Sequence, residues 1–147
     1  YFTDKVKFPY IPGFRAYREL AAMIECYNRL EEKPELILIH GHGIAHDRLG
    51  IASHFSLAAG IPSIGIADSL LAGEIKGENI IKEGKIVGKV VKTKEGGNPL
   101  YVSPGNMIST NSAAEIIRKL VKEGHKLPEV MRIAKKYVKE TRQELFG

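Results

Sequence analysis

The chain has 147 residues, 44% hydrophobic and 27% charged, a balance that belongs to a folded domain burying its own core and excludes a disordered or low-complexity tail. Lys and Arg (22) outnumber Asp and Glu (17), and the net charge of +5 mildly favours a polyanionic partner, with much of the excess after Lys76. A lone Cys26 rules out an internal disulfide, no apolar run is long enough to span a membrane, and YFTDKVKFPY lacks the layout of a signal peptide, so a cytoplasmic protein with no membrane partner is expected.

In chain order, the loose alternation of Phe2, Val6, Phe8 and Tyr10 predicts a strand ended by Pro9 and Pro12. Leu20, Met23, Ile24, Tyr27 and Leu30 recur at helical spacing from about Phe14 until Pro34. Leu36 to His40 is a short buried strand, after which a loop rich in Gly and His opens a helix from about Leu49 to Ala59, with Gly60 suited to close it. Ile61 to Ala67 is a second buried strand. The resulting crossover places His40 and Asp68 at the same ends of neighbouring strands. Between Leu71 and Val102, three short runs (79–82, 85–93 and 99–102) separated by Gly-rich turns predict a small, half-exposed antiparallel excursion. Ser112-Ala-Ala-Glu115 has the spacing of a capping box ahead of Ile116, Ile117, Leu120 and Val121, a helix running to Gly124. A last helix from Pro128 should turn Val130, Ile133, Ala134, Tyr137, Val138 and Leu145 inward, with Arg132, Lys135, Lys136, Lys139 and Arg142 outside. A single α/β domain over residues 1–147 accommodates all of these elements.

His40, His42, His46 and His54 invite a metal site, but their spacing matches no HExxH or zinc-ribbon pattern and no cysteine joins them; histidines lining a pocket are the alternative. The GHG and LGIAS stretches carry neither a dinucleotide-binding nor a P-loop fingerprint, so their glycines serve equally as turn residues or ligand contacts. Periodicity alone makes Glu19 a solvated carboxylate on a helix surface. Asp68, just past a buried strand, is either a metal ligand or the N-cap of the segment Ser69 to Ala72. Tyr10-Ile11-Pro12-Gly13 is a stiff apolar tip that reads as a simple turn or as a wedge between bases.

Six stretches, PYIPGFRAYRE, GHGIAH, LGIASH, IPSIG, PLYVSPG and LPEVMRIA, together resemble the endonuclease V family, in its order and at its spacing. The resemblance implies an RNase H-like mixed sheet flanked by helices, and an enzyme that nicks DNA or RNA near deaminated purines, in DNA repair or RNA processing. It implies a wedge at Tyr10, Ile11 and Pro12, and a pocket for flipped hypoxanthine built from Gly13, Gly41, His46, Gly50 and Ile51, since such a base is reached only by extruding it from the stack. Family chemistry is hydrolysis assisted by Mg²⁺ or Mn²⁺ held by carboxylates.

The departures fall on that chemistry. Glu19 matches the family's metal-binding Glu, but His40 stands where the family has the Asp of a D-G-H-G motif. Lys135 stands in place of a late catalytic His, and Asp68 in place of a phosphate-contacting Lys. The family's first catalytic Asp lies on an early strand ahead of the first stretch matched here, and losing the early strands should expose a sheet edge for a second copy or partner chain to cover. The expectation is therefore a protein that recognises inosine with an impaired metal site. The alternatives are an active nuclease whose site is rebuilt from Glu19, His40 and Asp68 or completed by a partner chain, with Glu19 and Asp68 as metal ligands and Lys135 at the fourth catalytic position, or a structural subunit of a complex.

Overall fold

The computed structural model describes residues Tyr1–Gly147. Helix α1 spans Arg15–Asn28, followed by strand β1 (Ile37–His40), helix α2 (Ile51–Ala59) and strand β2 (Ser63–Ala67). Strands β3 (Glu74–Lys76), β4 (Asn79–Lys82), β5 (Lys85–Val91) and β6 (Leu100–Asn106) come next, and helices α3 (Thr110–Leu120) and α4 (Glu129–Phe146) close the chain. One sheet runs in the order β1-β2-β6-β5-β4-β3. Only β1 and β2 are parallel, as expected for strands joined through α2; every other pairing is antiparallel.

The strands alternate their side chains between two layers. Ile37 and Ile39 face α1 and α2, where Ala16, Ile51, Ala52 and Phe55 are buried and Leu20, Met23, Ile24 and Tyr27 pack on them. Ile64, Ile66, Val91, Leu100 and Val102 face Ala113, Ala114 and Ile117 of α3 and Met131 of α4. Phe55 is fully buried and meets the Tyr27 ring edge-on at 5.7 Å, so truncating it costs about 3–5 kcal/mol.

Four expectations are corrected. Residues 1–10 form no strand: they have no pairing partner and run along α1, with Phe2 under Arg29 and the Phe8 carbonyl accepting from Arg18. The antiparallel run is no small excursion, because β6 inserts beside β2 in the middle of the sheet and buries Leu100 and Val102 completely. Pro104 is tolerated in β6 because the β5 pairing has already ended at Val102 and the β2 pairing is irregular between Ser63 and Ile64. The N-cap of α3 is Ser109, whose hydroxyl accepts from the Ser112 N–H at 3.1 Å, so Ser112 lies inside the first turn. Finally, the apolar stripe of α4 is not turned inward. Val130, Ile133, Ala134, Tyr137, Val138 and Leu145 are exposed, Ile133 by 60% and Val138 by 63%, and only Met131 and Thr141 of this helix are buried. Met131 joins the α3 side of the core, and beyond it the helix leaves that core, with Thr141 alone of its later residues buried.

No helix is long and apolar enough to cross a membrane.

Candidate functional site

The carboxyl ends of β1 and β2 open into a cleft of ≈ 310 Å³ between the α1 N-terminus and the loop that leads into α2. Its floor is the loop Gly41 to Gly50, which the sheet holds by its backbone. The Gly41 N–H donates to the Ile66 carbonyl at 2.8 Å, the Gly43 N–H to Ser103 Oγ at 2.8 Å, and the Ile44 N–H to the Pro104 carbonyl at 2.9 Å. The Gly50 and Ala52 N–H groups then return to the Gly43 and His42 carbonyls. A Cβ on Gly43 would sit 2.0 Å from the Pro104 oxygen, and one on Gly50 would sit 2.1 Å from the His42 oxygen. Backbone therefore packs on backbone, and glycine is required by space.

The opposite wall is the tip before α1. The Phe14 N–H donates to the Ile11 carbonyl at 3.0 Å around Pro12-Gly13, with Gly13 at φ +81, as a turn with Pro at its second position and Gly at its third demands. This leaves Tyr10 66% exposed at the cleft mouth. Arg48 lies over the Phe14 ring at 4.4 Å, holding a guanidinium beside the tip.

Two histidines inside the cleft are poised as neutral donors. His46 is buried, its Nδ1 accepts from the Arg48 N–H at 3.0 Å, and the ring proton therefore sits on Nε2. Burial first, and the neighbouring His42 second, push its pKa below the ordinary value. His42 donates from Nε2 to the Ser69 carbonyl at 2.9 Å, and burial is likewise the main cause of its lowered pKa. From the far side of the sheet, Lys82 on β4 donates to the His46 carbonyl at 2.6 Å and ties the loop down.

At the strand ends the charged groups form one chain. Arg15 donates from Nε to Glu19 at 2.8 Å and from Nη1 to the His40 carbonyl at 2.6 Å. His40 Nε2 donates to Asp68 Oδ2 at 3.0 Å, and Lys126, from the α3–α4 connection, donates to Asp68 Oδ1 at 2.6 Å. Lys126 first, then His40, hold the Asp68 carboxyl below its usual pKa.

The fold thus gathers Tyr10, Pro12, Gly13, His40, Gly41, His46, Ile51 and Asp68 on one cleft. Ile11 is not part of its lining, Gly50 shapes the loop from behind, Glu19 reaches it only through Arg15, and Lys135 is exposed on α4. Sequence reasoning passed over Arg15, Ser69 and Lys126, and weighed His42 only as one of a histidine cluster. Arg15 and Glu19 have the i, i+4 spacing of a helical ion pair, a signal that was available; Lys126 is brought to Asp68 only by the fold.

The sequence model of the endonuclease V family matches residues 1–136. The chain belongs to this family. Endonuclease V from Desulfurococcus amylolyticus is 41% identical over 140 residues, covering 92% of this chain and 64% of that protein. The crystal structure of endonuclease V from Streptomyces avermitilis superposes with a TM-score of 0.85 at 29% identity, over 97% of this chain and 66% of that one. Endonuclease V from Ciona intestinalis, solved with a 24mer DNA containing an inosine followed by a ribo-adenosine, shares the fold at 24% identity and TM-score 0.85, over 97% and 70%. The chain therefore has the RNase H-like fold of endonuclease V, and it spans less than two thirds of the length of the first curated relatives it matches.

Endonuclease V is a metal-dependent family, which makes the donor set decisive. Mg²⁺ takes a near-octahedral shell of oxygen ligands and needs converging carboxylates. Here Glu19 and Asp68 are engaged by Arg15 and Lys126 in separate pairs, and no three of His, Cys, Asp and Glu side chains converge. As arranged, these residues do not fit such an ion.

Proposed function

We propose that this endonuclease V relative recognises deaminated purine, inosine above all, in DNA or RNA in a cytoplasmic setting, and that it hydrolyses the neighbouring phosphodiester in Mg²⁺ slowly or not at all. The observation that carries this reading is the cleft, which joins the Tyr10–Gly13 tip to the Gly41, His46 and Ile51 pocket while the nearby carboxylates are spent on internal cations. The tip is the wedge that fills the stack when a base leaves it. The neutral His46 Nε2–H and the glycine-lined wall offer a hydrogen-bond donor and a close fit. Such a site favours the keto oxygen of hypoxanthine over the amine of adenine, because an amine facing a donor leaves both unpaired. The inosine-containing DNA bound by the Ciona relative supports the choice of ligand.

A second reading has a specific support. The outer edge of β1 pairs with no strand and the apolar stripe of α4 is bare, so a second copy or a partner chain could cover both and complete a nuclease site using Mg²⁺ or Mn²⁺.

A nicking assay on inosine oligonucleotides with Mg²⁺ and with Mn²⁺ separates the two. Binding with little cleavage, and cleavage gained by His40→Asp, is the expected result. Robust nicking by the unmodified chain that Glu19→Ala abolishes would establish the nuclease instead.

A further inference from the structure

The chain of charged groups at the strand ends is more than a depleted metal site, because every anionic member of it has a cationic partner supplied by the fold. Asp68 uses both carboxylate oxygens, one on Lys126 and one on His40. Lys126 is held in turn: its carbonyl accepts from Thr93 Oγ1 at 2.6 Å, so the strand β5 exit fixes the backbone that delivers the ammonium. On the other flank, Arg15 covers Glu19 and the His40 carbonyl together. An ammonium already in hydrogen-bond contact with a carboxylate repels a second cation and occupies the lone pairs it would need.

We infer that Lys126 is a resident cation that excludes divalent metal from Asp68, so that the latent ligand pair Asp68 and His40 becomes a transition-metal site only when that ammonium is removed. Once Lys126 is gone, a carboxylate and an imidazole lie 3.0 Å apart at adjoining strand ends, both lining an open cleft with room for water ligands. That donor chemistry suits Mn²⁺ better than Mg²⁺, since imidazole is a poor partner for the harder ion.

The test is Mn²⁺ titration of the full chain, read by the loss of the free-ion electron paramagnetic resonance signal. The unmodified protein is expected to show no saturable binding, and Lys126→Met to bind Mn²⁺ saturably, with a midpoint at least about tenfold below the highest concentration at which the unmodified chain still fails to saturate. Adding Asp68→Asn to Lys126→Met should abolish the gain. Lys126→Arg, which keeps the charge, should behave as the unmodified chain, whereas a loss of mere packing would make both variants alike. Should Lys126→Met fold poorly by circular dichroism, Lys126→Gln is the second variant. Saturable Mn²⁺ binding by the unmodified protein that Asp68→Asn removes would overturn the inference, as would equal affinity in the unmodified and Lys126→Met or Lys126→Gln chains. Metal titration involves no nucleic acid, so its failure leaves inosine recognition standing, and failure of oligonucleotide binding leaves the resident cation standing.

Discussion

Lys126 Nζ and Asp68 Oδ1 meet at 2.6 Å although 58 residues separate them in the chain, and the contact joins the α3–α4 connection to the end of β2. It closes a relay that runs from Glu19 through Arg15 and the His40 residue to Asp68. Arg15, His40 and Asp68 of the relay line the cleft together with the neutral His42 and His46 rings. Of these groups, His42 and His46 respond to acid in one pH range and Asp68 in a lower one.

His42 and His46 have folded pKa values below 6.5, and Asp68 has one below 3.8. A depressed pKa means that the unfolded chain takes up the proton first, so the associated stability is complete above the unfolded value and is lost as pH falls through the folded one. Urea denaturation should therefore show a first decline below pH 6.5 from the histidines and a second at lower pH, to which Glu129 contributes below 4.5 and Asp68 below 3.8. His46→Gln should shrink the first step and Asp68→Asn the second. The Asp68 step is small, under about 1 kcal/mol, because the carboxylate is half exposed and solvent screens the pair.

Gly43→Ala should destabilise the fold by about 3 kcal/mol or more, since the added carbon would lie 2.0 Å from the Pro104 oxygen and neither backbone can yield without breaking the loop-to-β6 bonds. Gly96→Ala meets nothing within 4 Å and carries only the strain of φ +68, about 1–2 kcal/mol. Thermal melts of the two variants should keep that order.

Tyr10→Ala should leave the melting temperature unchanged, because the ring is 66% exposed and buries little. Affinity for an inosine oligonucleotide should nonetheless fall by about 1–3 kcal/mol, the range of one base–aromatic stack. A loss of affinity equal for inosine and adenosine oligonucleotides would assign the ring to general stacking rather than to wedging.

The bare stripe of α4 and the unpaired edge of β1 should drive self-association at micromolar concentrations. Light scattering should report species larger than the monomer, and Ile133→Lys with Val138→Glu should reduce them. An unmodified protein that stays monomeric throughout would count against a covering partner.

Local pattern was enough to locate α1, β1, α2 and β2, since helical and strand periodicities and the Gly60 stop act within a few residues of each other. The Pro-Gly tip and the glycine loop were legible for a similar reason: a tight turn and a loop crowded by its own backbone restrict which residues can stand there. Relationships between distant segments lay out of reach. The central place of β6, the exposure of the α4 stripe and the Lys126 ammonium on Asp68 each depend on which surfaces arrive side by side. Periodicity reports that a face is apolar or a residue charged; only packing decides what meets it, because burial and ion pairing are properties of two surfaces at once.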